Sequence, residues 1–194
     1  MALKQQNFDP IVSAKAQLSN ENRGWSHKAR ENALGRLSNI GLPNRRDEYW
    51  KYTNPAELIT EKPNVLPVTG PEDANVFSEI DVQKIVFCDG VFSSELSDDF
   101  ASENMSISKL SDVDDLHWAQ NYYGTLERQG QSPVSRPLAA LNTAIASDGV
   151  LIHVKGNIGK PILILGVHNT PSEAVLHHVI KVDRDCSLTL LESG

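Results

Sequence analysis

Apolar residues first recur at helical spacing in Trp25, Ala29, Ala33, Leu37 and Ile40, at intervals of four, four, four and three. That is one stripe of an amphipathic helix. Gly41 and Pro43 follow; Gly accepts the left-handed conformation just past a helix, and Pro cannot continue one. The spacing therefore predicts a helix over 24–40. The polar stretch 1–24 carries a weak helical pattern through Ile11, Ala14, Ala16 and Leu18, and predicts a short helix or a mobile lead-in. A second clear stripe is Leu138, Leu141, Ala144 and Ile145, opened by Pro137, which suits a first helical turn, and stopped by Asp148-Gly149. A further helix is expected over 112–124, with Val113, Leu116 and either Ala119 or Tyr123 inward. The stretch 54–75 contains Pro55, Pro63, Pro67, Gly70 and Pro71 without periodicity and reads as loop or linker.

Strand character begins at 84–88. Asp89-Gly90 then precedes Val91-Phe92, which predicts a hairpin, because a tight type I′ turn needs positive φ at both central positions. Residues 105–110 alternate like a strand. From Val150 the runs 150–154, 162–167, 175–182 and 187–191 start 12, 13 and 12 residues apart. Such spacing predicts a sandwich, a barrel or a stacked solenoid. Ile162-Leu163-Ile164-Leu165 is apolar on both faces, as in an interior strand covered on both sides. The β pattern is still running at Glu192-Ser193-Gly194, and an open solenoid end exposes core. The expectation is that the chain is the N-terminal part of a longer protein, or that dimerisation covers the end.

Composition narrows the class. The 194 residues are 40% hydrophobic and 22% charged, enough for about one domain with a sizeable core. No apolar run approaches the roughly 20 residues that span a bilayer. The start, Met-Ala-Leu-Lys-Gln-Gln-Asn, shows no apolar signal core. Cys88 and Cys186 are too few for a disulfide scaffold or a Cys-built zinc site. A cytoplasmic protein without membrane attachment is expected. Residues 1–60 hold 9 Lys and Arg against 6 Asp and Glu, whereas 61–194 hold 9 against 19. That balance argues against a nucleic-acid partner, since phosphate contacts need clustered cations. Arg45-Arg46 lie beside Asp47-Glu48, as on a solvated face. Trp25, Trp50 and Tyr52 are expected to dock the N-terminal segment on the β body, with a partner surface as the other reading.

Candidate chemistry is sparse. His177-His178 stand in the predicted strand 175–182, and adjacent strand residues point to opposite faces, so both reach one ion only with difficulty. His153, His168 and Cys186 lie on or beside neighbouring strands, and a cross-strand metal set among them would make a jelly-roll-like metal enzyme. The short His-x-His spacing and an obvious carboxylate ligand are both missing, so these side chains read as half-buried polar groups. There is no Gly-x-Ser-x-Gly elbow and no Gly-x-x-x-x-Gly-Lys-Ser/Thr phosphate loop. Cys88 sits in an apolar strand, where a thiol is an inert small hydrophobe. Cys186 lies among Asp183 and Asp185, which disfavour the thiolate.

Four blocks in order carry a resemblance. They are Gly41-Leu42-Pro43 with Arg45-Arg46, Glu48 and Trp50-Lys51-Tyr52-Thr53; Ile85-Val86-Phe87 with Asp89-Gly90-Val91-Phe92 and Leu96-Ser97; Pro137-Leu138-Ala139-Ala140-Leu141-Asn142 with Asp148-Gly149; and His177-His178-Val179-Ile180 leading to Leu188-Thr189-Leu190. Together they cover most of 25–192, and the chain resembles the SufB/SufD family of the SUF iron–sulfur cluster assembly machinery, the first block favouring the SufD branch. The resemblance implies an α+β fold: a helical N-terminal region followed by the first rungs of a right-handed parallel β-helix, which selects the solenoid. The implied division is 1–80, mainly helical with a Pro-rich linker; 81–136, a mixed connecting region; and 137–194, the start of the β-helix core. The implied role is a non-catalytic scaffold that pairs with a SufB-like paralogue, binds a SufC-like ABC ATPase, and supports cluster assembly and iron acquisition. The cluster is held transiently by the full complex, and no cofactor is expected in this chain. The family's functional Cys and His belong beyond Gly194, so no catalytic, cofactor-binding or metal-binding residue is assigned here. The rivals are the metal-dependent β-fold enzyme and a β-solenoid interaction module with an unrelated partner.

Overall fold

The computed structural model describes residues 9–20, 24–46, 48–59, 68–100, 102–112, 117–128, 135–171 and 173–194. In chain order the elements are α1 (Pro10–Asn20), α2 (Ser26–Ile40), α3 (Pro71–Ala74), β1 (Gln83–Cys88), β2 (Val91–Phe92), β3 (Met105–Lys109), α4 (Pro137–Ile145), β4 (Val150–Val154), β5 (Ile162–Val167), β6 (Val179–Val182) and β7 (Leu190–Ser193), with four short 3-10 turns between them. The described residues fall into two compact units. One comes from Met1–Pro63 and Gln120–Ile145, the other from Asn64–Ala119 and Ala146–Gly194.

The first unit is helical. The Asp9 carboxylate accepts hydrogen bonds from the Ile11 and Val12 amides at 2.9 and 3.3 Å, satisfying donors that the first turn of α1 leaves open. At the other end of α2, Gly41 has φ 75°, and its N–H donates to the Leu37 carbonyl at 2.8 Å. The core joins Ala14 and Leu18 of α1, Ala33, Leu34 and Leu37 of α2, and Ala140 and Ala144 of α4. The buried face of α2 is rotated from the predicted stripe. It is Ser26, Arg30, Ala33, Leu34 and Leu37, while Ile40 is 46% exposed. Arg30 is only 1% exposed. Its Nε donates to Ser26 Oγ at 3.0 Å and its Nη1 to the Ala144 carbonyl at 3.4 Å, and its guanidinium lies 5.3 Å from the Tyr123 ring centre. Glu127 ties the 120–128 segment to the helices: it pairs with Arg36 of α2 and accepts from the Thr143 hydroxyl of α4. No α-helix forms over the described part of 112–124. Residues 118–121 make a 3-10 turn, with Ala119 and Tyr123 buried as expected, and Val113 and Leu116 lie outside the described residues. The linker over 54–75 contains a 3-10 turn at Pro55–Leu58, capped by Asn54, and the single turn α3; 60–67 lie outside the described residues.

The second unit holds two sheets. One has the order β2-β1-β5-β7 and the other β3-β4-β6. They face each other through one core, in which Ile85, Phe87, Ile162 and Ile164 of the first sheet meet Met105, Val150, Ile152 and Val154 of the second. Leu163 and Leu165 point the other way and join Ala74, Val86 and Val167 in a second cluster, so β5 is covered on both faces as its composition predicts. The β1–β2 hairpin turns at Asp89 (φ 49°) and Gly90 (φ 81°), the two positive-φ positions the tight turn demands.

The expected right-handed parallel β-helix is not formed. Both sheets are mixed: β1 with β5, β5 with β7, and β4 with β6 are parallel, but β2 runs antiparallel to β1 and β3 antiparallel to β4. The physical cause of the first reversal is the Asp89-Gly90 turn, which folds β2 straight back on β1. Neither sheet closes or winds into a solenoid. Two strands also differ in extent from the sequence pattern. The expected 175–182 run pairs as β6 only over Val179–Val182, preceded by a single bridge from Leu176 to Asp148, and the 187–191 run pairs over Leu190–Ser193.

Candidate functional site

The histidines considered as ligands do not converge. His153 sits on β4 between Ser106 and Lys181. Its Nε2 lies 3.0 Å from Asp183 Oδ1, and Lys181 Nζ lies 3.4 Å from the same oxygen. The hydrogen bond from His153, reinforced by its charge and by Lys181, holds the Asp183 carboxyl below the usual carboxylate range. Trp118 packs its ring 5.4 Å from His153, and His117 lies 5.1 Å from Trp118. Burial, and then the nearby His153, push the His117 imidazole below its ordinary value. Thus two imidazoles 36 positions apart in the chain flank one indole ring, a juxtaposition no local pattern announces.

His168 follows β5 and faces Asp89, whose Oδ1 is 3.9 Å from its Nδ1 and caps the Asn169 and Thr170 amides. His177 stands outside β6, with its amide on the Asp148 carbonyl at 3.0 Å. Cys186 packs against the inter-sheet core and directs its thiol to the Arg184 carbonyl at 3.5 Å, while Cys88 packs in the second cluster. Among the described residues no group of three or more His, Cys, Asp or Glu side chains is placed to hold a metal ion. No described helix is long and apolar enough to cross a membrane.

His178 is the most constrained of the set. Its Nδ1 accepts from the Val150 amide at 3.0 Å, and its ring lies 5.4 Å from Phe87. Burial pushes its pKa below the ordinary value, with Glu192 and Asp148 opposing. The fold holds the neutral ring, and protonation at Nδ1 would remove the acceptor that Val150 uses. The stability it contributes is complete above the unfolded-state value, about 6.5, and is lost as pH falls from there through the lower folded value. Thermal melts between pH 8 and 5 should therefore show a fall in Tm beginning near pH 6.5. His178→Gln, which keeps an acceptor but does not titrate, should flatten that part of the profile. An unchanged slope in the variant would contradict this assignment.

The helical unit carries a different kind of surface. After α2 the chain forms a turn in which Asn44 Oδ1 accepts the Arg46 amide at 2.9 Å, then a 3-10 turn at Glu48–Trp50, then the Asn54-capped turn. Trp50 is half-buried and Pro55 buried. Around Trp50 other side chains are exposed: Tyr52 is 90% exposed and Tyr49 67%, and Arg45, Arg46 and Lys51 are exposed with them. Lys51 Nζ lies 5.4 Å from the Tyr52 ring centre. The expected docking of Tyr52 on a core is thus not seen. Trp25, by contrast, is an inward anchor that meets Tyr123 edge-on at 5.6 Å. Sequence shows the aromatic and cationic composition of this segment; only the capped turns show which rings they leave in solvent.

A family model described as the SufBD protein N-terminal region matches residues 1–164. No curated protein matches the chain.

Proposed function

The chain belongs to the SufB/SufD family, whose members work in SUF complexes that assemble iron–sulfur clusters, and from this premise we propose that it is a non-catalytic scaffold subunit of the SufD type. Its partners would be a SufB-like paralogue and a SufC-like ABC ATPase, in the cytoplasm, and the cluster is cargo of the whole complex. The match over 164 of 194 residues carries the family reading. The SufD assignment rests on the block from Gly41 to Thr53, in which Trp50-Lys51-Tyr52-Thr53 follows Arg45-Arg46. A separate ATPase is supported by the absence of a phosphate-loop motif from the sequence, since a nucleotide's phosphates need a glycine-rich backbone cradle with its Lys and Ser/Thr.

The scaffold reading has a direct chemical test. Purified anaerobically, the chain by itself should carry far less than one iron and one acid-labile sulfide per chain and should hydrolyse no ATP. Stoichiometric iron and sulfide, or ATP turnover that follows the protein through purification, would overturn it.

A further inference from the structure

His117, Trp118 and His153 have no part in the scaffold reading, and all three lie in the second unit. The local geometry makes His117 a neutral acceptor. Its Nδ1 accepts a hydrogen bond from the Ala119 amide at 3.3 Å, which only an unprotonated ring nitrogen can do. Ala119 is fully buried in the 3-10 turn that begins at Trp118, so its amide has no water to turn to. The charged groups around the rings come from three places. His153 reaches Trp118 from β4, Lys181 is its neighbour on β6, and Asp183 follows β6. On the other side of His153, β3 contributes Ser106, which carries no charge. The Asp183 carboxylate is already shared between His153 and Lys181. A proton on His117 therefore places a cation beside His153 and Lys181 without bringing a carboxylate of its own. Only the attraction of an imidazolium for the indole face opposes this.

We propose that His117 is a proton-operated latch: neutral, it holds residues 117–119 and the Trp118 ring against β4, and protonated it releases them. Two costs arrive with the proton. The buried Ala119 amide loses its acceptor, and like charge gathers around one indole ring. Burial, and then His153, hold the His117 imidazole below its ordinary value of 6.5. The latch is therefore closed at neutral pH and above, and it opens as pH falls from about 6.5 through that lower value. Opening is local: β4 keeps its pairing with β3 and β6, and an indole and a buried amide become accessible. The latch is independent of the family assignment, because it rests on contacts within the second unit. His178 loses its contribution to stability over the same pH range, so the two effects must be read at separate positions.

The test follows assigned NMR signals of the whole chain between pH 8 and 5. They are the His117 ring, the Ala119 amide, the Trp118 indole N–H, and the Ile152 amide as a reference, since Ile152 is fully buried in the middle of β4. The His117 ring should titrate with a midpoint below 6.5, and the Ala119 and Trp118 signals should shift with that same midpoint. Hydrogen exchange at Ala119, corrected for the intrinsic effect of pH, should rise at least tenfold over this interval, while Ile152 keeps its protection. His117→Gln retains a side-chain acceptor and does not titrate, so Ala119 should stay protected down to pH 5. His153→Gln removes the facing cation, and the His117 midpoint should move up toward 6.5. The wild-type titration decides by itself if either variant fails to fold. A His117 ring that titrates while Ala119 stays protected would mean that the imidazolium remains stacked on the indole, and would overturn the latch. An Ala119 response that persists in His117→Gln would overturn it too. So would loss of protection at Ile152 in step with Ala119, because the opening would then be global.

Discussion

Gly149→Ala should destabilise the protein by about 3 kcal/mol or more, at the upper end of overpacking costs. A Cβ built on Gly149 would overlap the His177 carbonyl oxygen and lie 2.7 Å from its carbon. Those are backbone atoms, so no side-chain rotation relieves the clash. The approach exists because 147–149 run alongside 175–177: the Ser147 amide donates to the Val175 carbonyl at 2.8 Å and the His177 amide to the Asp148 carbonyl at 3.0 Å. The same approach starts the β4–β6 pairing two residues later, at Leu151 and Val179. A methyl group at 149 must therefore push apart the entry to the second sheet. For a chain of this size the loss corresponds to a Tm lower by about 6–12 °C. Gly159→Ala, which meets nothing within 4 Å and has no positive φ, should change Tm little. Equal Tm values for the two variants would contradict the packing described for β4 and β6.

Arg30→Ala should cost about 3–5 kcal/mol, for two reasons that add. The substitution removes the guanidinium that donates to Ser26 Oγ and to the Ala144 carbonyl, and it empties the space beneath Tyr123. Arg30→Met keeps most of the apolar volume and should recover part of the loss, because the arginine stem packs as well as bonds. Arg30→Lys should behave more like Ala than like wild type, since an ammonium cannot reproduce a planar fork that bonds two acceptors and stacks on a ring. Urea midpoints for the three variants, at unchanged slope, measure this order. A tolerant Ala variant would mean that Arg30 is a passenger on α2.

The helices were legible where apolar spacing is regular and punctuation is strong. Gly41 ended α2 with the left-handed φ its position demands, and Pro137 opened α4 at the predicted residue. The face of α2 was harder, because tertiary partners chose it. Sequence rules place Arg outside, and the Tyr123 ring with the Ala144 carbonyl places Arg30 inside. The hairpin at Asp89-Gly90 and the doubly covered β5 could be read from local composition. The sheet pairing could not: β1 joins β5, about 80 residues later in the chain, and β3 reverses against β4. Strand spacing says where strands begin, but not which neighbours they take or in which direction, and the parallel β-helix expectation failed on that point. The candidate surface was half legible. Tyr49, Lys51 and Tyr52 announce an aromatic and cationic segment, yet ring exposure depends on the Asn44 and Asn54 turns. His117, Trp118 and His153 meet only through the fold.

The central claim is that this protein acts inside a SUF assembly rather than as an enzyme in its own right. Its most direct test is affinity purification of the protein tagged at its own locus, under anaerobic conditions, with the co-purifying chains quantified by mass spectrometry. The account predicts a SufB-like paralogue and a SufC-like ABC ATPase recovered in near-stoichiometric amounts with it. Recovery of the tagged protein with neither of them would contradict it.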